Sequence, residues 1–222
     1  MSRLIALDTE TTGLHSKEGD RIIEIAMVEI SRDPNPRFYH QLINPQGRAI
    51  GEEAFKVHGI TEEMLADKPT FAECLPDILD FIGDDGGLVI HNAPFDVGFL
   101  RDETMEANSV WPEFPVIDTL ALAIREFPGS RHGLDALCNR FGVDLSTRIK
   151  HGALIDTRIL ANLYLAWKGQ AGLDLNATQA KTSKVSMERL GDMNAARVPV
   201  PSSVSTAPPS TNWAKHFSGI EL

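Results

Sequence analysis

The spacing of apolar and polar residues predicts strands in the first part of the chain and alternating strands and helices after it. Residues 4–7, 21–30 and 37–43 are short runs that are rich in β-branched residues or alternate in polarity, with turn residues between them. Residues 88–90 and 116–118 are further short, mostly apolar runs, each followed by helical spacing. This order predicts a mixed five-stranded sheet, its first three strands antiparallel, flanked by helices in an α/β fold.

The helices are predicted from apolar residues that recur three or four positions apart. The clearest case is residues 71–82, where the apolar side chains share one helical face and Thr70 precedes them as an N-cap candidate. The longest strongly apolar helix is predicted at residues 153–167. Shorter helices are predicted at residues 52–57, 92–108, 119–127 and 134–141.

Composition changes near Gly169 and divides the chain into two parts. Apolar residues make up 42% of the 222 residues, enough for the core of one sizeable domain, which we place at residues 1–168. Residues 169–222 are rich in Ser, Thr, Ala and Pro and are predicted to form a flexible tail.

Charge and cysteine content exclude several classes of function. The net charge of −10 argues against a broad basic surface for nucleic acid, so any grip on such a substrate must be local or supplied by a partner. The N-terminus lacks the features of a signal peptide, and no apolar run is long enough to span a membrane. Cys74 and Cys138 lie in amphipathic patterns and are expected to be reduced, buried thiols of a cytoplasmic protein.

Two acidic residues at the end of the first strand are the first sign of chemistry. Asp8 and Glu10 are separated by one residue, and strand alternation directs both to the same face. Neighbouring carboxylates repel each other unless a cation or a proton lies between them. A strand end with two solvated acids is the simpler interpretation, unless other carboxylates converge on the pair.

Further candidates lie where convergence is expected. Asp96 falls in the first turn of a predicted helix after a buried strand, and Asp156 falls in the first turns of another. His151 lies in the loop before that second helix. Side chains at the ends of adjacent elements of an α/β sheet meet at one edge, so these residues can join Asp8 and Glu10. Taken singly, Asp96 is a charge favoured by the helix dipole and His151 is a loop histidine.

Five short motifs along the chain match one family. They are Asp8-Thr9-Glu10-Thr11-Thr12-Gly13, residues 53–61 (EAFKVHGIT), residues 91–96 (HNAPFD), residues 127–129 (FPG) with 134–138 (LDALC), and residues 151–156 (HGALID). Together they resemble the DEDDh 3′–5′ exonucleases, and most closely the epsilon-type proofreading subunits of bacterial DNA polymerase III. The resemblance covers residues 1–175 and implies a ribonuclease H-like fold. The spacing of His151 and Asp156 is that of the histidine branch of the superfamily.

The resemblance implies metal-dependent hydrolysis of a DNA end. Asp8, Glu10, Asp96 and Asp156 would hold two divalent cations, Mg²⁺ or Mn²⁺, which take hard oxygen ligands. His151 would be the general base for the attacking water, since imidazole titrates near neutral pH. The implied activity is a 3′–5′ exodeoxyribonuclease that proofreads DNA replication and releases mispaired 3′-terminal nucleotides as 5′-monophosphates.

The resemblance also implies where the 3′ end binds. The contacts with the terminal nucleotide of single-stranded or mispaired DNA would come from Thr9, Glu10, Thr11, Glu53, His58 and Asp156. A loop histidine that is hydrogen-bonded to the backbone is the alternative interpretation of His58. His40 is given only a structural interpretation.

A sliding-clamp contact is predicted directly after the last helix of the domain. Residues 170–175 (QAGLDL) have the QxxLxL pattern of peptides that dock in the clamp (beta) groove. Gln170, Leu173 and Leu175 would make the contacts as an extended, tethered peptide. The pattern is short and frequent by chance, so its position carries the interpretation.

A second partner contact is predicted at the end of the tail. In residues 211–222, Trp213, Phe217 and Ile220 have the i, i+4, i+7 spacing of a docking stripe. The resemblance implies that Trp213 and Phe217 anchor the chain to the polymerase catalytic (alpha) subunit, since aromatic residues dominate interface energetics. An ordinary frayed terminus is the alternative, and a small accessory subunit is a further partner in some lineages.

Two other functions are compatible with parts of the sequence. A free-standing DEDDh nuclease that trims RNA or single-stranded DNA ends would share the chemistry without needing the clamp-like motif or the tail. A non-catalytic scaffold that stabilises a polymerase–clamp complex would need the tail, but it would have no chemical reason to keep four acids and His151.

Overall fold

A computed structural model describes residues 3–146 and 152–181 of the chain, with side chains described up to residue 169. Contacts within the chain divide it after Gly169 into residues 1–169 and residues 170–222, and each unit is described by itself. In the second unit, the description consists of the helical backbone of residues 170–181.

One mixed five-stranded sheet organises the first unit. Its strands are β1 (Arg3–Thr11), β2 (Ile22–Glu29), β3 (Phe38–Leu42), β4 (Gly86–Ile90) and β5 (Val116–Asp118). They lie in the order β3-β2-β1-β4-β5, with β2 antiparallel to its neighbours β1 and β3, and with β4 and β5 parallel to β1. The predicted mixed sheet with an antiparallel first half is confirmed.

The helices follow the predicted pattern, with two short additions. They are α1 (Glu52–His58), α2 (Glu62–Leu65), α3 (Phe71–Ile82), α4 (Ala93–Glu106), α5 (Thr119–Glu126), α6 (Leu134–Phe141) and α7 (Ala153–Lys181), together with a 3-10 turn at Ser16–Glu18. The 3-10 turn and α2 were not predicted, because single turns are too short to show apolar periodicity. Within the part of the chain that the structure describes, no helix has the length and apolarity to cross a membrane.

Alternation along β1 supplies a hydrophobic core to each face of the sheet. Ile5 and Leu7 pack on one side with residues of α3 and α4, among them Ile78 and Phe99. Ala6 points to the other side, where its cluster lies against α5, α6 and α7. Both faces are therefore covered, and the ends of the strands are the part of the sheet open for a site.

β1 extends beyond its parallel neighbour, and this extension positions the site. Pairing of β1 with β4 ends at Ala6, whereas pairing with β2 continues to Thr11 through a bulge after Glu10. The segment from Asp8 to Glu10 therefore has a strand on one side only, and the N-terminus of α4 occupies the other side through Asp96.

One predicted boundary is wrong. The helix predicted to end at Trp167 continues as α7 to Lys181, across residues 170–175, which the sequence suggested would be an extended peptide in a flexible tail. The change in composition near Gly169 does not stop the helix, because one glycine, such as Gly169 or Gly172, costs a helix only about 1 kcal/mol. The surrounding Gln, Ala and Leu residues favour helix, and the first proline after the start of α7 is Pro199.

Candidate active site

Three carboxylates from distant parts of the chain form the centre of the site. Asp8 and Glu10 lie on the same face of β1, on either side of Thr9, and Asp156 lies in the first turn of α7. A carboxylate oxygen of each lies within 4.8 Å of one from each of the others. Asp156 is buried, whereas Asp8 and Glu10 are partly buried. The structure thus brings together three of the four acids that the sequence singled out.

The cluster is electrostatically strained without a counter-charge. Burial raises the pKa of the Asp8 carboxyl well above its usual range, and the charges of Asp96, Glu10, Asp156 and Glu24 raise that pKa further. Ionising every member of such a group is costly unless cations or protons compensate. Carboxylate oxygens are the ligands that hard divalent cations prefer, so the donor set fits a metal site.

Asp96, the fourth acid, lies beside the cluster and is bound to β1. Its Oδ1 accepts hydrogen bonds from the Thr9 backbone N–H at 3.1 Å and from the Thr9 hydroxyl at 2.8 Å. Burial raises the pKa of Asp96 to about 7, although these two hydrogen bonds oppose the shift. Among the described residues, the group within 4.8 Å consists of the other three acids. Asp96 nevertheless has the strongest effect of any neighbouring charge on the pKa of Asp8.

A second aspartate fixes the start of the helix that carries Asp96. The backbone of Asn92 is left-handed, with φ of 74°, and its N–H donates to Asp118 Oδ1 at 3.2 Å. The same oxygen accepts from the N–H groups of Leu120 and Ala121 and so caps α5. Asp118 therefore joins the starts of two helices, and its charge contributes to the raised pKa of Asp96.

The turn after β1 is held by short-range hydrogen bonds. The Thr11 hydroxyl donates to the Gly13 carbonyl at 2.6 Å, and the Thr12 hydroxyl accepts from the Arg21 N–H at 2.9 Å. A Cβ at Gly13 would lie 2.3 Å from a carboxylate oxygen of Asp20, so only glycine fits there. The predicted nucleotide-binding turn is thus ordered next to the carboxylates.

His58 combines a backbone hydrogen bond with a second nitrogen that has no partner. Its Nδ1 accepts from the Ile60 N–H at 3.0 Å, so the proton of the neutral ring lies on Nε2. Nε2 is buried and has no hydrogen-bond partner among the described residues, although the Thr11 backbone lies near the ring. Burial lowers the pKa of His58, which favours the neutral ring. The interpretation of His58 as a histidine that is only hydrogen-bonded to the backbone explains the contact of Nδ1. It does not explain why Nε2 is buried without a partner in the described part of the chain.

Glu53 lies away from the cluster in the present conformation. Its side chain is 89% exposed on α1, and Lys56 Nζ lies 2.8 Å from its Oε1. Lys56 Nζ also lies 2.9 Å from Oε1 of Glu52. The structure therefore places Glu53 on the solvent side of α1, and its contact with a nucleotide stays a prediction.

Several predicted residues lie outside the described part of the chain. His151 precedes the first described residue of the α7 segment, Gly152. Trp213 and Phe217 lie in the undescribed C-terminal region. Gln170, Leu173 and Leu175 lie on the α7 backbone, but their side chains are not described.

The sequence analysis missed one buried carboxylate beside the site. Glu24 lies on β2 directly opposite Glu10 and is only 7% exposed. The signal was present, because Glu24 is the single charged residue in the otherwise apolar run at residues 22–28. A charge in the middle of a central strand must have partners, since an unpaired buried carboxylate is very costly.

Comparison with known proteins identifies the family. Residues 5–164 match the exonuclease family RNase_T, which is more than half of the chain. The chain belongs to the exonuclease family. The resemblance inferred from the five motifs is confirmed, and divalent-metal chemistry, which this family uses, agrees with the oxygen-rich cluster.

Relatives and solved structures support the same assignment. This exonuclease is 46% identical over 172 residues to DNA polymerase III subunit epsilon of Rickettsia prowazekii (strain Madrid E), covering 75% of this chain and 74% of the relative. Identity to the subunit of the same name from Escherichia coli (strain K12) is also 46%, over 178 residues, 76% of this chain and 72% of the relative.

Two solved structures illustrate how far the fold is shared. Exonuclease X in complex with 5′ overhanging duplex DNA is 32% identical with a TM-score of 0.58, covering 76% of this chain and 93% of that chain. The nuclease domain of 3′hExo, a DEDDh family member bound to rAMP, has a TM-score of 0.63, covering 77% and 93% of the two chains. At 18% identity, this second similarity supports the fold alone.

Proposed function

We propose that this exonuclease degrades DNA from the 3′ end and proofreads replication, releasing mispaired 3′-terminal nucleotides as 5′-monophosphates. The observation that carries the proposal is the cluster of Asp8, Glu10 and Asp156, whose oxygens lie within 4.8 Å of one another on an exonuclease fold. The replicative role is supported by relatives that bear the name DNA polymerase III subunit epsilon and match 75% of the chain or more.

The metal-holding role falls to the four acids. Asp8, Glu10 and Asp156 offer converging oxygens, and Asp96 adds negative charge from beside them. Two divalent cations, Mg²⁺ or Mn²⁺, when bound would stabilise charge on the phosphate and leaving oxygen and make water a better nucleophile. The raised pKa of Asp8 fits this role, because cations would replace the protons that otherwise relieve the repulsion.

His151 is proposed as the general base that takes the proton of the attacking water. The residue lies outside the described part of the chain, so the support comes from its neighbours. Two residues later, the N–H of Ala153 donates to Glu24 at 3.0 Å, which fixes the start of α7 next to the carboxylates. An imidazole on this short tether would reach the site with a pKa suited to proton transfer near neutral pH.

The 3′-terminal nucleotide is proposed to bind between the turn after β1 and α1. The His58 Nε2–H is a buried donor without a partner among the described residues, and a sugar or phosphate oxygen would satisfy it. Thr9, Glu10 and Thr11 are proposed to contact the nucleotide from the other side. Glu53 would reach the sugar only by leaving Lys56, a solvent-exposed ion pair of little energetic weight.

A polymerase partner would explain how so acidic a chain acts on DNA. With a net charge of −10, the chain lacks a broad basic surface, so delivery by the polymerase alpha subunit would replace electrostatic capture. Trp213 and Phe217 are proposed as anchors in that contact, and a small accessory subunit as a further partner. Such a place in replication of a bacterial chromosome implies a cytoplasmic location.

A clamp contact is proposed for Gln170, Leu173 and Leu175. Because α7 runs through these residues, docking as an extended peptide would require the last turns of the helix to open. This opening involves residues 170–181, about three helical turns, so the contact with the clamp must compensate the helix hydrogen bonds that are lost. A tether to the clamp through the polymerase would raise the effective concentration of so weak a motif.

A free-standing nuclease is the second candidate, because one comparison favours it. The exonuclease X chain solved with duplex DNA, at 32% identity, is covered over 93% of its length by 76% of this chain. A DNA complex formed by such a chain favours a nuclease whose shared domain acts without the tail. A non-catalytic scaffold is disfavoured by the convergence of Asp8, Glu10 and Asp156.

Mononucleotide release from a 5′-labelled primer with a mispaired 3′ end tests the proposal. With Mg²⁺ or Mn²⁺, the wild-type protein should shorten the primer one nucleotide at a time, and Asp8→Ala or Glu10→Ala should abolish this. Asp67→Ala, which changes an exposed acid paired only with Lys68, is the control. Undiminished release by Asp8→Ala would refute the site assignment. His151→Ala should slow release while Mn²⁺ binding persists, and comparable loss of Mn²⁺ would make His151 a ligand instead.

A further inference from the structure

Glu24 is a buried carboxylate to which the proposed reaction assigns no catalytic or metal-binding role. It lies on the central strand β2 at 7% exposure, between Ile23 and Ile25, which are fully buried. Among the described residues, each of its oxygens has one hydrogen-bond partner: Oε1 lies 2.7 Å from His40 Nε2, and Oε2 accepts from the Ala153 N–H at 3.0 Å. Since a carboxylate oxygen accepts, the His40 Nε2–H is the donor.

The bond to Ala153 connects the sheet to the first residue of α7. The first N–H groups of a helix have no partner within the helix, and a carboxylate there is favoured by the helix dipole. The Asp156 N–H in turn donates to the Gly152 carbonyl at 3.0 Å, so Asp156 lies one turn beyond the capped residue. Any shift of the helix start would therefore move Asp156.

A second contact keeps α7 aligned with β2. The Thr157 hydroxyl donates to the Ala153 carbonyl at 2.5 Å and packs 3.4 Å from the Ala26 carbonyl oxygen, two strand residues after Glu24. Four residues of helix and two residues of strand both span about 6 to 7 Å, so the two contacts match in spacing. Asp156 lies between the two attachment points, Ala153 and Thr157.

Glu24 also lies across the strand pair from the other ligands. Its Cα partner on β1 is Glu10, and Asp8 pairs with Ala26. Glu24 therefore bridges the two sources of carboxylates, the Asp8–Glu10 strand and the Asp156 helix. His40 lies on β3, where its Cα partner is Ala26 of β2, and it binds the Glu24 oxygen that does not contact Ala153. A histidine that was given only a structural interpretation thus helps to hold Glu24.

We propose that Glu24 is a positioning residue of the nuclease site: by capping α7 from β2, with His40 behind it, Glu24 sets the separation of Asp156 from Asp8 and Glu10. This inference rests on the proposed nuclease function. It requires an acceptor oxygen at the correct distance from Ala153 and does not require the negative charge of Glu24.

Two substitutions separate position from charge. Glu24→Gln keeps an oxygen for Ala153, and its amide can donate to His40 once that ring takes the other tautomer. Glu24→Asp keeps the charge but shortens the side chain by one methylene, so its oxygens no longer reach both partners. Glu29→Gln and Glu29→Asp on the same strand are matched controls, because Glu29 lies at the partly exposed end of β2, where it pairs with Arg3 at 3.2 Å.

The readouts are kcat and KM for a mispaired primer, Mn²⁺ affinity by electron paramagnetic resonance, and thermal stability. Glu24→Gln should stay within about threefold of wild type, whereas Glu24→Asp should lose about 10- to 100-fold in kcat or Mn²⁺ affinity, with KM nearly unchanged. His40→Ala should lose less than Glu24→Asp in the same direction. The Glu29 variants should change stability at most.

Two outcomes would overturn the inference. If Glu24→Asp keeps wild-type kcat and Mn²⁺ affinity, Glu24 is only a structural residue. If Glu24→Gln is impaired more than Glu24→Asp, charge and not position is what matters. Mn²⁺ affinity is measured without DNA, so the comparison remains decisive even if the wild-type protein releases no mononucleotides, a result that would instead refute the proposed function.

Discussion

Asp96 Oδ1 accepts two hydrogen bonds from Thr9, one from the backbone N–H at 3.1 Å and one from the hydroxyl at 2.8 Å. Thr9 is the residue between Asp8 and Glu10 on the strand. The fourth acid therefore binds the backbone that carries the first two, in a stretch where β4 no longer pairs with β1. Besides contributing charge, Asp96 therefore holds the end of β1 in place through Thr9.

Removing the Thr9 hydroxyl should weaken this link. Thr9→Val keeps the side-chain volume but leaves Asp96 with one donor fewer, so we expect a loss of about 1–3 kcal/mol in the free energy of unfolding. The Mn²⁺ concentration that gives half-maximal nuclease activity should be higher for Thr9→Val than for the wild type. Urea denaturation and a metal titration of nuclease activity measure the two effects.

Thr104→Val is the matched control for that substitution. Thr104 is fully buried, and its hydroxyl donates to the Leu100 carbonyl within α4, away from the cluster. This variant should leave the metal titration unchanged. Equal effects of the two valine substitutions on metal dependence would contradict the role assigned to Thr9.

The stability of the metal-free protein should fall as pH rises. The pKa of Asp96 is raised to about 7 and that of Asp8 well above its ordinary value, both chiefly by burial. The folded state therefore binds more protons than the unfolded state above about pH 4, and its advantage from these groups is lost as pH rises toward 7 and beyond. In EDTA, the melting temperature should be lower at pH 8 than at pH 5.5.

Added Mn²⁺ should reverse this trend. The cation compensates the ionised carboxylates, so the increase in melting temperature on adding Mn²⁺ should be larger at pH 8 than at pH 5.5. Asp8→Asn removes one of the repelling charges and should flatten the pH dependence in EDTA. A pH dependence that is the same in the wild type and Asp8→Asn would show that other groups cause it.

The two nitrogens of His58 should have separable functions. His58→Asn keeps an acceptor for the Ile60 N–H but removes the Nε2–H donor. His58→Gln keeps a donor near the position of Nε2 but loses the acceptor for the Ile60 N–H. We expect His58→Asn to raise KM for DNA about tenfold, near the worth of one hydrogen bond. His58→Gln should be less stable but bind DNA better than His58→Asn. The reverse ranking in KM would exclude Nε2 as a substrate donor.

The tail should be dispensable for chemistry and necessary for association. Deleting residues 182–222 removes Trp213 and Phe217 and leaves α7 complete. Mononucleotide release should persist, while co-purification of a polymerase subunit from the native extract should be lost. Substituting both Trp213 and Phe217 by Ala in the full chain tests these two anchors alone and should also abolish co-purification. Retained co-purification would place the polymerase contact on residues 1–181.

The fold was largely predictable because its signals are local. β-branched runs separated by turn residues predicted the strands, and Thr70 is the N-cap predicted for α3, where it forms a capping box with Glu73. The end of α7 was not predictable in the same way, because Gly169 and Gly172 weaken a helix without stopping it. Single turns such as α2 depend on one cap, here Thr61, and leave no periodic pattern.

The site was predictable only in part, for a different reason. Motif spacing identified Asp8, Glu10, Asp96 and Asp156, and strand alternation placed the first two on one face. The contacts that hold these acids depend on how the strands pair. Glu24 is relevant because it lies opposite Glu10 on the neighbouring strand and binds Ala153, which is distant in the sequence. Such a relationship has no signature in spacing, apart from the anomaly of a charge in an apolar strand.

The most direct test of the account is Mn²⁺ binding and mononucleotide release by Asp156→Asn, compared with Asp144→Asn, which alters an exposed acid that is hydrogen-bonded to Ser146. If carboxylates from β1 and α7 form one metal site, Asp156→Asn should bind Mn²⁺ at least about tenfold more weakly and release almost no mononucleotide, and Asp144→Asn should match the wild type. Wild-type release and Mn²⁺ affinity in Asp156→Asn would contradict the account.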